Sequence, residues 1–332
     1  MKDKNIAVVG CGYWGKNLVR NFAKIGVLHT ICDSDSARLQ DLGLLYPNVN
    51  KVKDYKDVLI NDEIRGIVLA TPVVSHFSMA KEALLADKDV FVEKPLALNV
   101  IDGRELVELA QQKNSILMVG HILEYHPAVI KLKDLVDKEE LGRIQYIYSN
   151  RLNLGKFRTD ENILWSFAPH DISVILLLLG GEMPYEVSAH GGYYLSQNVA
   201  DVTMTTMSFK GGVRAHVFVS WLHPFKDQRL VVVGDKKMVE FNDTNPKDKL
   251  MLYNHEIEWI EGNPVPHRKE ADIVEAPLEE PLKIECQDFL NCIESRMKPA
   301  VDGRKGLQVL EILSYCQESL KENGKVITLR IE

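Results

Sequence analysis

Through the first 120 residues, short apolar runs alternate with amphipathic stretches. NIAVVG (5–10), HTICD (29–33), GIVLAT (66–71), DVFVEK (89–94) and SILMVG (115–120) are of strand length and rich in β-branched residues. Helical patterns follow over 14–25, 35–44, 75–86, 99–113 and from about Pro127. Apolar strands separated by helices predict an α/β fold in which a doubly wound parallel sheet is covered on both faces.

The pattern changes after about residue 140. Segments 143–154, 202–210, 213–221, 229–234 and 237–242 read as consecutive strands joined by tight turns such as Lys210-Gly211-Gly212 and Asp235-Lys236-Lys237. Val213, Ala215, Val217 and Val219 keep one face apolar. One helix, about 165–179, interrupts the strands, and two more, near 283–295 and 304–322, close the chain. The acidic stretch 270–281 reads as a surface loop. The expectation is a Rossmann-type domain over 1–122 and an α+β domain with a large, mostly antiparallel open sheet over 123–332.

Composition narrows the function classes. The 332 residues are 45% hydrophobic and 26% charged, with a formal net charge of −7, which disfavours nucleic acid and anionic membranes as partners. Five scattered cysteines form no C-x-x-C pair, so neither a disulfide framework nor a metal site is indicated, and a reducing cytoplasm fits. No apolar run approaches the roughly 20 residues of a membrane span, and the first ten residues lead straight into glycines rather than into a signal sequence.

Gly10-Cys11-Gly12-Tyr13-Trp14-Gly15 is a G-x-G-x-x-G that follows an apolar strand and opens a helix. Gly10 permits the turn, Gly12 admits a pyrophosphate close to the backbone, and Gly15 lets helix and strand pack; the helix N-terminus adds partial positive charge. Tyr13 and Trp14 line this turn. Asp33, 18 residues beyond Gly15, suits the adenosine ribose hydroxyls, or else caps the next helix. Ser34 rather than Arg or Lys after it favours NAD over NADP, with Arg38 one helical turn on as the countersign. Thr71, Pro72 and His76 border the same edge, with Ser75 as the cap of the next helix. Lys94 ends its strand at the carboxyl edge, where ligands of open α/β sheets collect, and its ammonium can reach a substrate hydroxyl. Glu93 stands beside it, bordering the cofactor, and Pro95 fixes the turn.

The combination of GCGYWG, ATPVVSH (70–76) and EKP (93–95), continued in GHILEYHPAV (120–129), APHDIS (168–173) and the segment 281–313, resembles the Gfo/Idh/MocA oxidoreductases along nearly the whole chain. The resemblance implies an NAD(P)-dependent dehydrogenase with a Rossmann domain and an open-sheet domain that often mediates oligomerisation, here a dimer or tetramer. It carries the family's lysine to Lys94 and its catalytic histidine to His170, whose imidazole would take the alcohol proton. Many members have an aspartate where this chain has Ser166, on the same helix face as His170. Arg151, Asn153, Lys156 and Arg158 precede that helix as a basic cluster suited to an anionic substrate. The run from Asn153 through Trp165 to Asp171 resembles the branch that oxidises UDP-sugars, including the 3-hydroxyl of UDP-N-acetylhexuronates, and Glu124 and Tyr125 would face substrate there. A polyol or inositol dehydrogenase, a nucleotide-sugar ketoreductase and a non-catalytic NAD-binding sensor are the competing readings.

Overall fold

The computed structural model describes residues 5–155, 157–159 and 161–329. The chain divides into two compact units, one of residues 1–122 and 280–310, the other of 123–279 and 311–332.

The first unit runs β1 (Ile6–Val9), α1 (Gly15–Ile25), β2 (Leu28–Cys32), α2 (Ser36–Leu45), β3 (Asn50–Val52), α3 (Tyr55–Leu59), β4 (Gly66–Leu69), α4 (His76–Leu85), β5 (Asp89–Glu93), α5 (Val100–Lys113) and β6 (Leu117–Gly120). Its six strands pair in the order β3-β2-β1-β4-β5-β6, all parallel. Strands β1 and β4 are buried at every position, as expected of a sheet with helices on both faces. The order reverses beside β1, so the connections leaving β1 and β4 run to opposite faces of the sheet and open a crevice at its carboxyl edge. Their neighbour β5 brings Lys94 to the same edge, because Glu93 pairs in register with Gly120 of β6.

The second unit contains α6 (Pro127–Asp137), β7 (Ile144–Leu152), α7 (Ile163–Leu178), β8 (Glu186–Gly192), β9 (Val202–Ser208), β10 (Arg214–Ser220), β11 (Asp227–Gly234), β12 (Met238–Asn242), β13 (Leu250–Tyr253), the hairpin of β14 (Glu256–Ile260) and β15 (Asn263–His267), and β16 (Ala271–Ile273). Helices α8 (Pro281–Ser295) and α9 (Gly303–Lys321) and the short β17 (Ile327–Thr328) follow. Nine strands form one sheet in the order β16-β13-β12-β11-β7-β10-β9-β8-β17. It is mixed: β7 and β10 are parallel, and the remaining neighbours antiparallel. Helix α7 packs on it with Ile163, Leu164, Ile172, Val174, Ile175 and Leu178 buried, and Asn162 caps it by accepting from the Trp165 N–H at 3.2 Å.

Two expectations are corrected. The stretch 270–281 is not wholly loop: β16 pairs with β13 at Met251–Ile273. Residues 280–310 pack with the first unit rather than the second. Arg20 of α1 forms a salt bridge with Glu280, which also accepts from Asn21 at 3.2 Å, and Phe289 of α8 packs edge-on against Phe91 at 5.7 Å. These partners lie some 200 residues or more apart along the chain, a separation that no local pattern encodes. All five cysteines are free and buried, and among the described residues no helix is long and apolar enough to cross a membrane.

Candidate functional site

The glycine turn is shaped by three different constraints. Gly10 sits at φ +86°, and a Cβ there would fall 2.7 Å from the Ala70 carbonyl carbon; a Cβ at Gly15 would fall 1.8 Å from the Gly10 oxygen. Both glycines are therefore required by the protein's own packing of α1 against β1 and β4. Gly12 is different: its Cβ would meet only Arg38 Nη1, at 3.8 Å. Nothing in the protein needs a glycine there, and the space beside it at the start of α1 fits a pyrophosphate. Gly12→Ala should leave the melting temperature unchanged yet weaken NADH binding roughly tenfold or more, as titrated by NADH fluorescence. Gly15→Ala should fail to give folded protein, as seen by circular dichroism.

Asp33 lies at the end of β2 and is buried. Its Oδ2 accepts from the Cys11 N–H at 2.7 Å and its Oδ1 from the Asp35 N–H at 2.9 Å. The carboxylate is thus tied to the glycine turn, and the cap of α2 is Asp35, which accepts from the Ala37 N–H at 2.9 Å. Arg38 reaches Asp33 at 3.5 Å and Asp35 at 3.3 Å, half-exposed, while Ser34 is exposed. A negative, backbone-anchored acceptor at this place suits ribose hydroxyls and disfavours a 2′-phosphate. Tyr13 projects into solvent, 85% exposed.

Trp14 does more than line the turn; its indole N–H donates to Glu93 Oε1, linking the turn to the end of β5. Opposite Glu93 stands Gly120, where a Cβ would lie 2.9 Å from Oε2. Burial pushes the Glu93 carboxyl up to about 7, against the pull of Trp14 and of the Lys94 charge. Lys94 is half-buried, and its peptide bond to Pro95 is cis. His121, the residue after β6, is 1% exposed, and neither of its ring nitrogens has a hydrogen-bond partner among the described residues. Burial pushes it down to about 3, with Lys94 and Lys305 adding to the effect, so its imidazole is neutral. The sequence motif GHILEYHP contains this residue without pointing to it.

His76, expected at the cofactor edge, has protein partners on both sides of its ring. It is buried at the start of α4, with Nδ1 2.8 Å from the Pro95 carbonyl oxygen and Nε2 3.0 Å from that of Thr71. Ser75 occupies the cap position, but its hydroxyl donates to the Pro72 carbonyl at 2.7 Å and approaches Thr71 Oγ1 at 3.0 Å instead of capping the helix. Thr71 is half-buried and Pro72 exposed.

In the second unit, Ser166 and His170 share a face of α7, with Ser166 buried and His170 half-buried. Of the basic cluster, both described arginines are paired within the protein. Arg151 belongs to β7 and is buried, with Nε donating to Asp171 Oδ2 at 2.7 Å and Nη2 to Oδ1 at 3.0 Å. Ser149 donates a third hydrogen bond to Asp171, at 2.6 Å. Arg151 is expected from the sequence to bind substrate; in the structure the fork of its guanidinium is spent on the residue next to His170. Arg158 pairs with Glu161 at 2.9 Å, Asn153 is half-buried, and Lys156 lies outside the described residues. The Trp165 indole donates to Gln317 Oε1 at 2.9 Å. Glu124 and Tyr125 form one buried turn of 3₁₀ helix, and His126, capping α6 through Nδ1, holds its other ring nitrogen 3.6 Å from Asp243.

Residues 4–121 match the model of an oxidoreductase family with an NAD-binding Rossmann fold, and residues 129–240 match the C-terminal domain of the same Gfo/Idh/MocA family. The chain is 26% identical over 309 residues to UDP-N-acetylglucosamine 3-dehydrogenase of Acidithiobacillus ferrooxidans, covering 91% of this chain and 93% of that protein. It is 28% identical over 247 residues to inositol 2-dehydrogenase of Salmonella typhimurium, covering 70% and 72%. A solved structure of the Acidithiobacillus enzyme superposes with a TM-score of 0.84 at 23% identity, covering 96% of this chain and 97% of that one.

Proposed function

We propose that this chain, which belongs to the Gfo/Idh/MocA oxidoreductase family and binds NAD through its Rossmann domain, oxidises the 3-hydroxyl of a UDP-linked N-acetylated hexose to a ketone. The carrying observation is the similarity to UDP-N-acetylglucosamine 3-dehydrogenase, which runs across more than nine-tenths of both chains. The fit of the glycine turn supports the cofactor half of the reading: Gly12 leaves open the space a pyrophosphate needs, and Asp33 is anchored as a ribose acceptor. Bound there, NAD supplies a hydride acceptor. Lys94 would hold the substrate hydroxyl, and His170 would take its proton, with Ser166 beside it on α7 in place of the aspartate common in the family.

The internal pairing of Arg151 and Arg158 weakens the basic cluster as an argument for a diphosphate. A second reading, oxidation of a free polyol, therefore keeps weight from the similarity to inositol 2-dehydrogenase. An NADH absorbance assay with UDP-N-acetylglucosamine, its 6-carboxylate, free N-acetylglucosamine and myo-inositol separates the two. Turnover of either UDP-sugar with kcat/KM at least about 10²-fold above the free sugars is expected; turnover of myo-inositol alone would overturn the reading.

A further inference from the structure

We propose that His76 is a positioning residue for Lys94, acting as a clamp between two backbone carbonyls rather than as a cofactor contact. The proposal rests on the assignment of Lys94 to the substrate hydroxyl. The two ring nitrogens of His76 each face a backbone carbonyl, Nδ1 that of Pro95 immediately after Lys94 at 2.8 Å and Nε2 that of Thr71 just beyond β4 at 3.0 Å, and the single N–H of the neutral ring donates to one of them. The ring is 2% exposed and opens α4, so its position is set by packing rather than by solvent or ligand. It therefore ties the β4 exit to the turn that carries Lys94. The sheet ladder does not do this, because β5 ends at Glu93 and its pairing with β4 stops at Leu69–Val92. The backbone on either side of Lys94 is thus held differently: on one side Glu93 is locked in β5 and bonded to Trp14, on the other Pro95 hangs on His76. Buried close to the Lys94 charge, the ring sits below its ordinary pKa, mainly through desolvation, and as a neutral imidazole it donates to one carbonyl at a time.

The clamp has a readout that a general packing role does not. In the full chain with lysines reductively methylated with carbon-13, the Lys94 resonance is identified as the one missing from Lys94→Arg. His76→Phe keeps the ring volume and removes the N–H donor. It should move the Lys94 resonance while leaving NADH affinity and melting temperature close to those of the parent. With the substrate that the parent oxidises, kcat should fall about 10²-fold, the cost of a misplacement near 1 Å, with KM little changed. His76→Gln, whose amide can donate to one of the two carbonyls, should recover part of the loss. An unmoved Lys94 resonance in His76→Phe, or a loss of activity fully matched by a loss of folded protein, would overturn the proposal. If the parent oxidises no UDP-sugar, the substrate reading falls, and the Lys94 resonance still decides the role of His76.

Discussion

Lys94→Met should abolish nearly all turnover while leaving the cofactor bound: kcat is expected to fall about 10²- to 10⁴-fold, the range for a group that holds or transfers the reacting proton. The residues that shape the cofactor cradle, from Gly10 to Gly15 and Asp33, are fixed by neighbours other than Lys94: the Ala70 carbonyl against Gly10, the Gly10 oxygen against Gly15, and the Cys11 N–H on Asp33. NADH affinity should therefore change by no more than about threefold, which is under 1 kcal/mol. A loss concentrated in KM would instead place Lys94 in uniform substrate binding. The substitution also removes the charge that draws the Glu93 carboxyl down toward ionisation, so that group should bind its proton to still higher pH. Stopped-flow measurement of NADH formation, paired with NADH fluorescence titration of the same variant, separates these outcomes.

How far such a site can be read from the chain depends on whether its signal is local. The strand–glycine–helix turn is legible because Gly10, Gly12 and Gly15 must lie within six residues to do their work, and the β-branched runs at 66–71 and 89–94 place Thr71 and Lys94 at the same edge by topology alone. The constraint on Gly15 is steric and absolute, whereas that on Gly12 exists only toward a ligand; the motif contains both and does not tell them apart. Side-chain partnerships are a different matter. Trp14 meets Glu93 across 79 residues and Arg151 meets Asp171 across 20, so a charge that looks free in sequence is neutralised by a partner only the fold supplies. The same holds for residues 280–310, whose helix reads as part of the second domain yet is pinned to α1 and β5 by Glu280 and Phe289.

The Arg151–Asp171 pair carries the other large effect. Arg151→Met should destabilise the second unit by about 3–5 kcal/mol, because it strands a buried carboxylate with only the Ser149 hydroxyl left on it. Asp171→Leu should cost a similar amount by stranding the guanidinium. The double variant Arg151→Met, Asp171→Leu should recover most of the stability, since well-packed apolar side chains of comparable volume replace a buried ion pair with little net loss. Urea unfolding of the four proteins measures the cycle, and coupling of at least about 2 kcal/mol is expected for groups in direct contact. The alternative, that Arg151 binds the anionic part of the substrate, predicts the opposite pattern: a raised KM in both variants lacking Arg151, no recovery in the double variant, and little change in unfolding midpoint for Arg151→Met. Asp171 adjoins His170 on α7, so the pair also sets the backbone from which the imidazole projects. Recovery of kcat together with stability in the double variant would show that this support is mechanical, supplied by packing and not by charge. Recovery of stability alone would mean that the ion pair holds the helix in an orientation that apolar side chains do not reproduce.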